Sequence, residues 1–274
     1  DALPISTAAQ LLCSESLQLS QSVPMRIEAD PHFFHRLLRL RAVPGPLTVA
    51  YDAEVDIRHH LVAPESIRET PIDELPAAVL PFIYPSRYCE SDEVQALAIQ
   101  EFGGLPPGYA RVEAIRRWVL ERTSFTSGVS DFHTSAVDTL TQRAGVCRDF
   151  AHLMIALCRA LNIPARFTSG IDYGADPALG PTDFHAYVEA YLDGRWYIFD
   201  PSGTAMPMGF VRLGSGRDAA DVAFATIFGK ISSDAPLISI EAVEDYEQGI
   251  MMPWHCPEAV STDAPPPEAR SGFL

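Results

Sequence analysis

The sequence predicts an α+β protein in which a β-rich N-terminal region precedes a core of helices packed on an antiparallel sheet. Two changes of apolar period carry that expectation. Apolar residues recur at every second position before residue 60, shift to helical spacing between 91 and 161, and return to alternation between 185 and 200. With 47% hydrophobic and only 20% charged residues, the 274-residue chain also has the apolar material for a sizeable core, which a disordered chain with its net charge of −16 would lack.

The first 60 residues read as an antiparallel sheet or small sandwich. Leu47, Val49, Tyr51, Ala53, Val55 and Ile57 alternate with Thr48, Asp52, Glu54 and Asp56, the pattern of a half-buried strand. Shorter strands are expected around Leu17 and Leu19, over Met25 to Ala29 and over His35 to Leu40, separated by Pro24, Asp30-Pro31 and Pro44-Gly45-Pro46. Between 61 and 90, prolines at 64, 71, 76, 81 and 85 predict an extended connection and a domain boundary. Ser91 is then expected to cap a helix with Val94, Leu97, Ala98 and Phe102 on one face and Gly103-Gly104 at its end. A second helix is expected from about Tyr109 to Arg122, with Val112, Ile115, Trp118 and Val119 as its apolar stripe. Ser135 with Asp138 three residues on is a capping-box-like start for a short helix that stops near Gly145. Residues Ala151 to Leu161 are apolar almost all round, so that helix is buried, and Asn162 and Pro164 close it. Strand-like pieces follow at Ala165 to Ser169 and His185 to Asp200, and the run Asp263 to Glu268 reads as a mobile tail. These readings divide the chain into a β-rich domain at 1–85, a core at 86–250 and a proline-rich tail at 251–274.

The charge excludes some partners. An acidic chain of pI near 4.8 repels phosphate, so neither nucleic acid nor an anionic membrane surface is expected as a partner. The most apolar run, Leu153 to Leu161, is interrupted by Arg159 and is too short to span a bilayer. The sequence carries no secretory-signal pattern, and cytoplasm is the default expectation. Cys13, Cys89, Cys147, Cys158 and Cys256 are odd in number, scattered and without a Cys-x-x-Cys pair, so neither a disulfide framework nor a zinc framework is expected.

One cysteine stands apart. Cys147 follows a glycine closely and opens a buried helix, where free backbone N–H groups and the positive end of the helix dipole favour a thiolate. The same position also suits an ordinary core cysteine, so a base is required. His152 lies five residues on, about 140° around the helix axis, and points away. His185 has the better geometry. Asp193-Gly194 forms a two-residue hairpin turn that pairs Leu192 with Arg195, and in that register Tyr187 is opposite Asp200. His185 is then diagonal to Asp200 on one face, at a Cβ separation of roughly 7 Å. Asp200 can thus accept from one imidazole nitrogen and leave the other free, as a catalytic histidine requires. A structural His–Asp pair would look the same. A metal site of Cys147, His152, Cys158 and His185 suffers from unfavourable helix angles.

The blocks Gly145-Val146-Cys147-Arg148-Asp149-Phe150-Ala151-His152, Leu161 to Arg166, His185-Ala186-Tyr187-Val188-Glu189, and Trp196 with Asp200-Pro201-Ser202 closely resemble the bacterial transglutaminase-like superfamily, whose members are often labelled candidate cysteine proteases. The blocks fall in the family's order and cover about residues 105–205. Phe34 to Leu37 and Pro44 to Val49 also resemble the β-rich N-terminal domain usual in that group. The resemblance implies a papain-like core with Cys147 as nucleophile, His185 as general acid/base and Asp200 as its orienter; no calcium-loop pattern of spaced Asp and Asn with a closing Glu is visible, so neither metal nor cofactor is expected. Arg148 and Asp149 fit a helix-capping role better than a catalytic one. The backbone N–H of Cys147 suits an oxyanion hole, while Trp118, Gln142 and Trp196 are the side chains weighed for a second donor. The expected activity is thiol acyl chemistry on an amide of a peptide or protein, with hydrolysis ahead of transamidation and a non-catalytic binding module as the rival.

Overall fold

The computed structural model describes residues 2–4, 6–7, 9–30, 35–174, 182–244 and 249–261. The expected tail at 263–268 and Phe34 lie outside the described residues. In chain order the strands are β1 (Ala2–Leu3), β2 (Gln10–Leu19), β3 (Met25–Ala29), β4 (Arg36–Leu40), β5 (Val49–Ile57) and β6 (His60–Val62). Then come helices α1 (Gln95–Phe102) and α2 (Tyr109–Arg122), strand β7 (Ser124–Phe125), helix α3 (Ala136–Gln142), strand β8 (Ala144–Gly145) and helix α4 (Cys147–Ala160). Strands β9 (Ala165–Asp172), β10 (Phe184–Leu192), β11 (Arg195–Phe199), β12 (Phe210–Gly216) and β13 (Ala259–Ser261) complete the fold. No helix among the described residues is long and apolar enough to cross a membrane.

The main sheet has six antiparallel strands in the order β12-β9-β10-β11-β13-β6, and α4 packs on β9 and β10. Every residue of α4 from Asp149 to Ala160 is buried, as its all-round apolar sequence requires. Ala186, Val188, Ala190 and Leu192 of β10 face the same core, while Tyr187 joins Ile198, Met208, Phe210 and Val260 in a second cluster on the other side. The α2 stripe of Val112, Ile115, Trp118 and Val119 is buried as its spacing predicts. The Ser135–Asp138 capping box starts α3, which ends at Arg143 in the left-handed conformation.

The N-terminal strands form a three-stranded sheet, β1-β4-β3, and a two-stranded ribbon, β2-β5. Alternation in β5 does not produce a well-buried face. Val49 stays 48% exposed because, among the described residues, β2 and β5 pair only with each other, so the ribbon lacks the cover a larger sheet would give. Gln10 ties β2 to the main sheet, donating from Nε2 to the Arg212 carbonyl at 2.9 Å and accepting the Arg212 N–H at 2.8 Å.

Three expectations are corrected. Ser91 is buried in a turn, and α1 begins only at Gln95, with Val94 at its N-cap. Residues 61–90 are not a free connection. Leu75, Val79 and Phe82 pack against Tyr191 and Trp196, and Ile67 and Cys89 enter the main core, so the proline-rich run is clamped to the sheet. Finally, β6 comes from before the expected boundary at 85 and β13 from after the one at 250, yet both belong to the main sheet. The sequence hides this because a three-residue strand has no period to read.

Candidate active site

Three chain reversals bring the candidate residues to one end of the main sheet. Helix α4 runs from Cys147 to Ala160, the turn through Asn162 (φ 61°) reverses the chain, and β9 returns to end at Asp172. Strand β10 starts from that end with Phe184 and His185, and β11 comes back to Phe199 with Asp200 just beyond it. Asp193 and Gly194, at φ 48° and 79°, make the tight hairpin turn between them. The register pairs Leu192 with Arg195 and Val188 with Phe199, so Tyr187 is opposite Asp200 and His185 is diagonal to it, as the sequence predicts.

His185 Nε2 lies 3.3 Å from Asp200 Oδ1, and Cys147 is within hydrogen-bonding reach of the same imidazole. The structure therefore brings all three sequence-predicted residues together. Cys147 is half-buried at the first position of α4; His185 and Asp200 are 9% and 5% exposed. The helix's own bonding begins with the N–H groups of Asp149 and Phe150, both donating to the Val146 carbonyl, so the N–H groups of Cys147 and Arg148 precede the ladder.

Asp200 is held from several directions. Ser202 donates its N–H and its hydroxyl to Oδ1 at 2.9 and 2.7 Å, Ala205 N–H donates to Oδ2 at 2.9 Å, and Arg116 donates to the Asp200 carbonyl at 3.3 Å. Burial would raise its carboxyl pKa, but the hydrogen bonds from His185, Ser202 and Ala205 outweigh burial and hold it below the usual value of 3.8. Burial likewise opposes the charge on His185, yet its hydrogen bonds to Asp200 and Cys147 and their negative charge leave the imidazole well above its ordinary 6.5. Asp200 and Cys147 thus both favour the protonated imidazole.

Sequence reasoning missed Asp172 and Tyr187. Asp172 Oδ2 stands 3.9 Å from His185 Nδ1, and the Tyr187 hydroxyl donates to Asp172 Oδ1. The signal that finds Asp172 is the one that found Asp200. Strand β9 pairs Ile171 with Phe184 and Gly170 with His185, so Asp172 is a diagonal neighbour of His185 from the other side. Gly170 cannot be anything larger, since a Cβ would stand 2.2 Å from the Val211 carbonyl oxygen.

The remaining candidates fall into structural places. Asp149 Oδ2 accepts the Val146 N–H at 2.8 Å, one half of a capping box, because Val146 has no side-chain acceptor to supply the other half. Arg148 donates to Asp149 and to the Asp131 carbonyl. His152 is fully buried against Tyr88 and accepts the Ala219 N–H at 3.2 Å, and burial drives its pKa well below 6.5. Cys158 is also buried, with its thiol pKa pushed up by burial, and no metal-holding group of three or more His, Cys, Asp or Glu forms among the described residues. Trp118 gives its N–H to Glu101, Trp196 packs among Phe82, Tyr191 and Arg166, and Gln142 is exposed at the end of α3. Met206 to Gly216 forms a short 3-10 turn and the edge strand β12.

A family model for the transglutaminase-like superfamily matches residues 95–201. A crystal structure from Cytophaga hutchinsonii, described as a candidate cysteine protease, is 36% identical and aligns over 94% of this chain and 89% of that one, with a TM-score of 0.85. An uncharacterised protein of Mycobacterium leprae is 35% identical over 117 residues, which make up 41% of this chain and 42% of that protein. One from Mycobacterium tuberculosis is 34% identical over 113 residues, 36% of each. The match thus spans about two fifths of the length of these curated relatives. The chain belongs to the transglutaminase-like superfamily, on the papain-like α+β core of that group.

Proposed function

We propose that the chain performs cysteine-dependent acyl chemistry on an amide bond of a peptide or protein, with water as the acceptor. One observation carries this reading: His185 lies within reach of Cys147 on one side and is hydrogen-bonded to Asp200 on the other. In the proposed cycle the Cys147 thiolate attacks the carbonyl carbon, and the oxyanion is held by N–H groups at the start of α4. The tetrahedral intermediate collapses as the His185 imidazolium gives its proton to the leaving nitrogen, and a thioester remains. His185, now neutral, takes a proton from water, whose oxygen attacks the thioester, and the carboxylate product leaves with the thiolate restored. Asp200 fixes the ring through Nε2, leaving Nδ1 for the exchange with sulfur and substrate. Similarity to a candidate cysteine protease at 36% identity supports the hydrolytic form. Transfer to a lysine amine would require a pocket that excludes water, whereas hydrolysis requires no further site.

Alkylation by iodoacetamide tests the nucleophile without knowledge of the substrate. Cys147 is expected to react near neutral pH at least about tenfold faster than a free thiol, and His185→Ala to remove that advantage. Equal reactivity of Cys147 and a free thiol, together with unchanged biological activity of Cys147→Ala, would establish the binding-module alternative. Peptide libraries assayed for both hydrolysis and amine incorporation then assign the acceptor. Turnover is expected to fall by about 100-fold or more in His185→Ala, and less completely in Asp200→Asn.

A further inference from the structure

We propose that Asp172 is a positioning residue of this site: with Tyr187 it presents a second carboxylate to the Nδ1 edge of His185, so the ring is held between two acids. The proposal rests on the reading of Cys147 and His185 as the reactive pair. Asp172 is 6% exposed, and its two oxygens divide the work, Oδ1 accepting the Tyr187 hydroxyl and Oδ2 standing 3.9 Å from Nδ1. That separation is too long for a hydrogen bond and well within the range of charge interaction. Nδ1 therefore remains available for sulfur while the imidazolium gains a second counter-charge.

The position of Asp172 is fixed by the fold. Tyr173 N–H donates to the Gly209 carbonyl at 2.8 Å, and a Cβ on Gly209 would stand 1.9 Å from the Tyr173 oxygen, so the end of β9 is clamped against the turn before β12. Tyr187 is itself fully buried, with its ring 4.7 Å from that of His185 and 4.4 Å from that of Phe210. Among the described residues, the titratable and charged groups around Asp172 are His185 and Tyr187 from β10 and Asp200 from the end of β11. Cys147 lies across His185 on α4, and Arg116 of α2 binds the Asp200 carbonyl.

Burial chiefly, with some help from Asp200, pushes the Asp172 carboxyl up to about 6, against the opposing pull of His185 and the Tyr187 hydrogen bond. Above that pH the imidazolium faces two carboxylates, and below it faces only Asp200. Asp172 thus favours the proton on His185 in the range where the thiolate–imidazolium pair must persist.

Histidine Cε1 resonances of the labelled full chain test this in a Cys147→Ala background, where His185 titrates without sulfur; the His185 signal is identified by its loss in His185→Gln. Adding Asp172→Asn is expected to lower the His185 midpoint by about one unit or more. An unchanged midpoint in a folded variant overturns the proposal, because a carboxylate that serves only to anchor Tyr187 would leave it in place. Should Asp172→Asn fail to fold, Tyr187→Phe carries the test. The inflection that Asp172 imprints on the His185 signal is expected to move upward from about 6 when the phenol is lost, and a fixed inflection overturns the proposal. Iodoacetamide reactivity of the wild-type chain reports separately on the nucleophile, so failure of the two readings is distinguishable.

Discussion

Asp149 decides where the helix that carries Cys147 begins. Its carboxylate takes the Val146 N–H, and Gly145 makes room for it, since a Cβ there would meet the Asp149 Cβ at 2.6 Å. Asp149→Ala is expected to cost about 1–2 kcal/mol in urea unfolding and to slow alkylation of Cys147 as the first turn frays. His185 gives a pH signature of known sign. Its folded pKa is raised above 6.5, so its charge stabilises the fold fully below that value and the stabilisation is lost as pH rises through the folded pKa. The unfolding free energy of wild type minus that of His185→Gln should therefore be largest below about pH 6.5 and shrink above it. Asp200 was legible in the sequence because Asp193-Gly194 sets the hairpin register with two letters. Asp172 was not, because the register of β9 against β10 is set across residues 173–183, which have no such turn signature.

At the level of elements, α4 carries the proposed nucleophile at its start and a buried arginine near its end. Arg159 is 2% exposed, and it donates to the carbonyls of Ala165, Tyr84 and Arg217 and to the Ser86 hydroxyl. It stitches the proline-rich run and the segment after β12 to the back of the helix. Arg159→Met is expected to leave several buried acceptors without donors and to destabilise the protein by at least about 3 kcal/mol, read from urea unfolding. From the letters alone, Arg159 was only an interruption in an apolar run, since partners 58 to 75 residues away leave no local trace. The helix spans, by contrast, were legible where capping and stripe agree: α2 starts and stops where the spacing predicts, and α3 has its capping box. The start of α1 was not, because Ser91 resembles a cap but is taken into the core. A second buried charge, Glu189 on β10, is flanked by Arg166 on β9 and Arg212 on β12, joining three strands by ion pairs.

Over the whole molecule, the β-rich opening, the helical middle and the antiparallel hairpin were all readable, and the sheet that unites them was not. Its closing strands, β13 and β6, are three residues each, and they lie far apart in the chain. Strand β13 pairs with β11 on one side and β6 on the other, and the Ser261 hydroxyl donates to the Trp196 carbonyl at 3.0 Å. A chain ending at residue 250 is therefore expected to self-associate in size-exclusion chromatography through the two strand edges it uncovers. Synthesis on the ribosome imposes the same condition for a time. Strand β6 emerges early and β11 later, and the flank each presents to β13 stays open until residue 261 has left the exit tunnel.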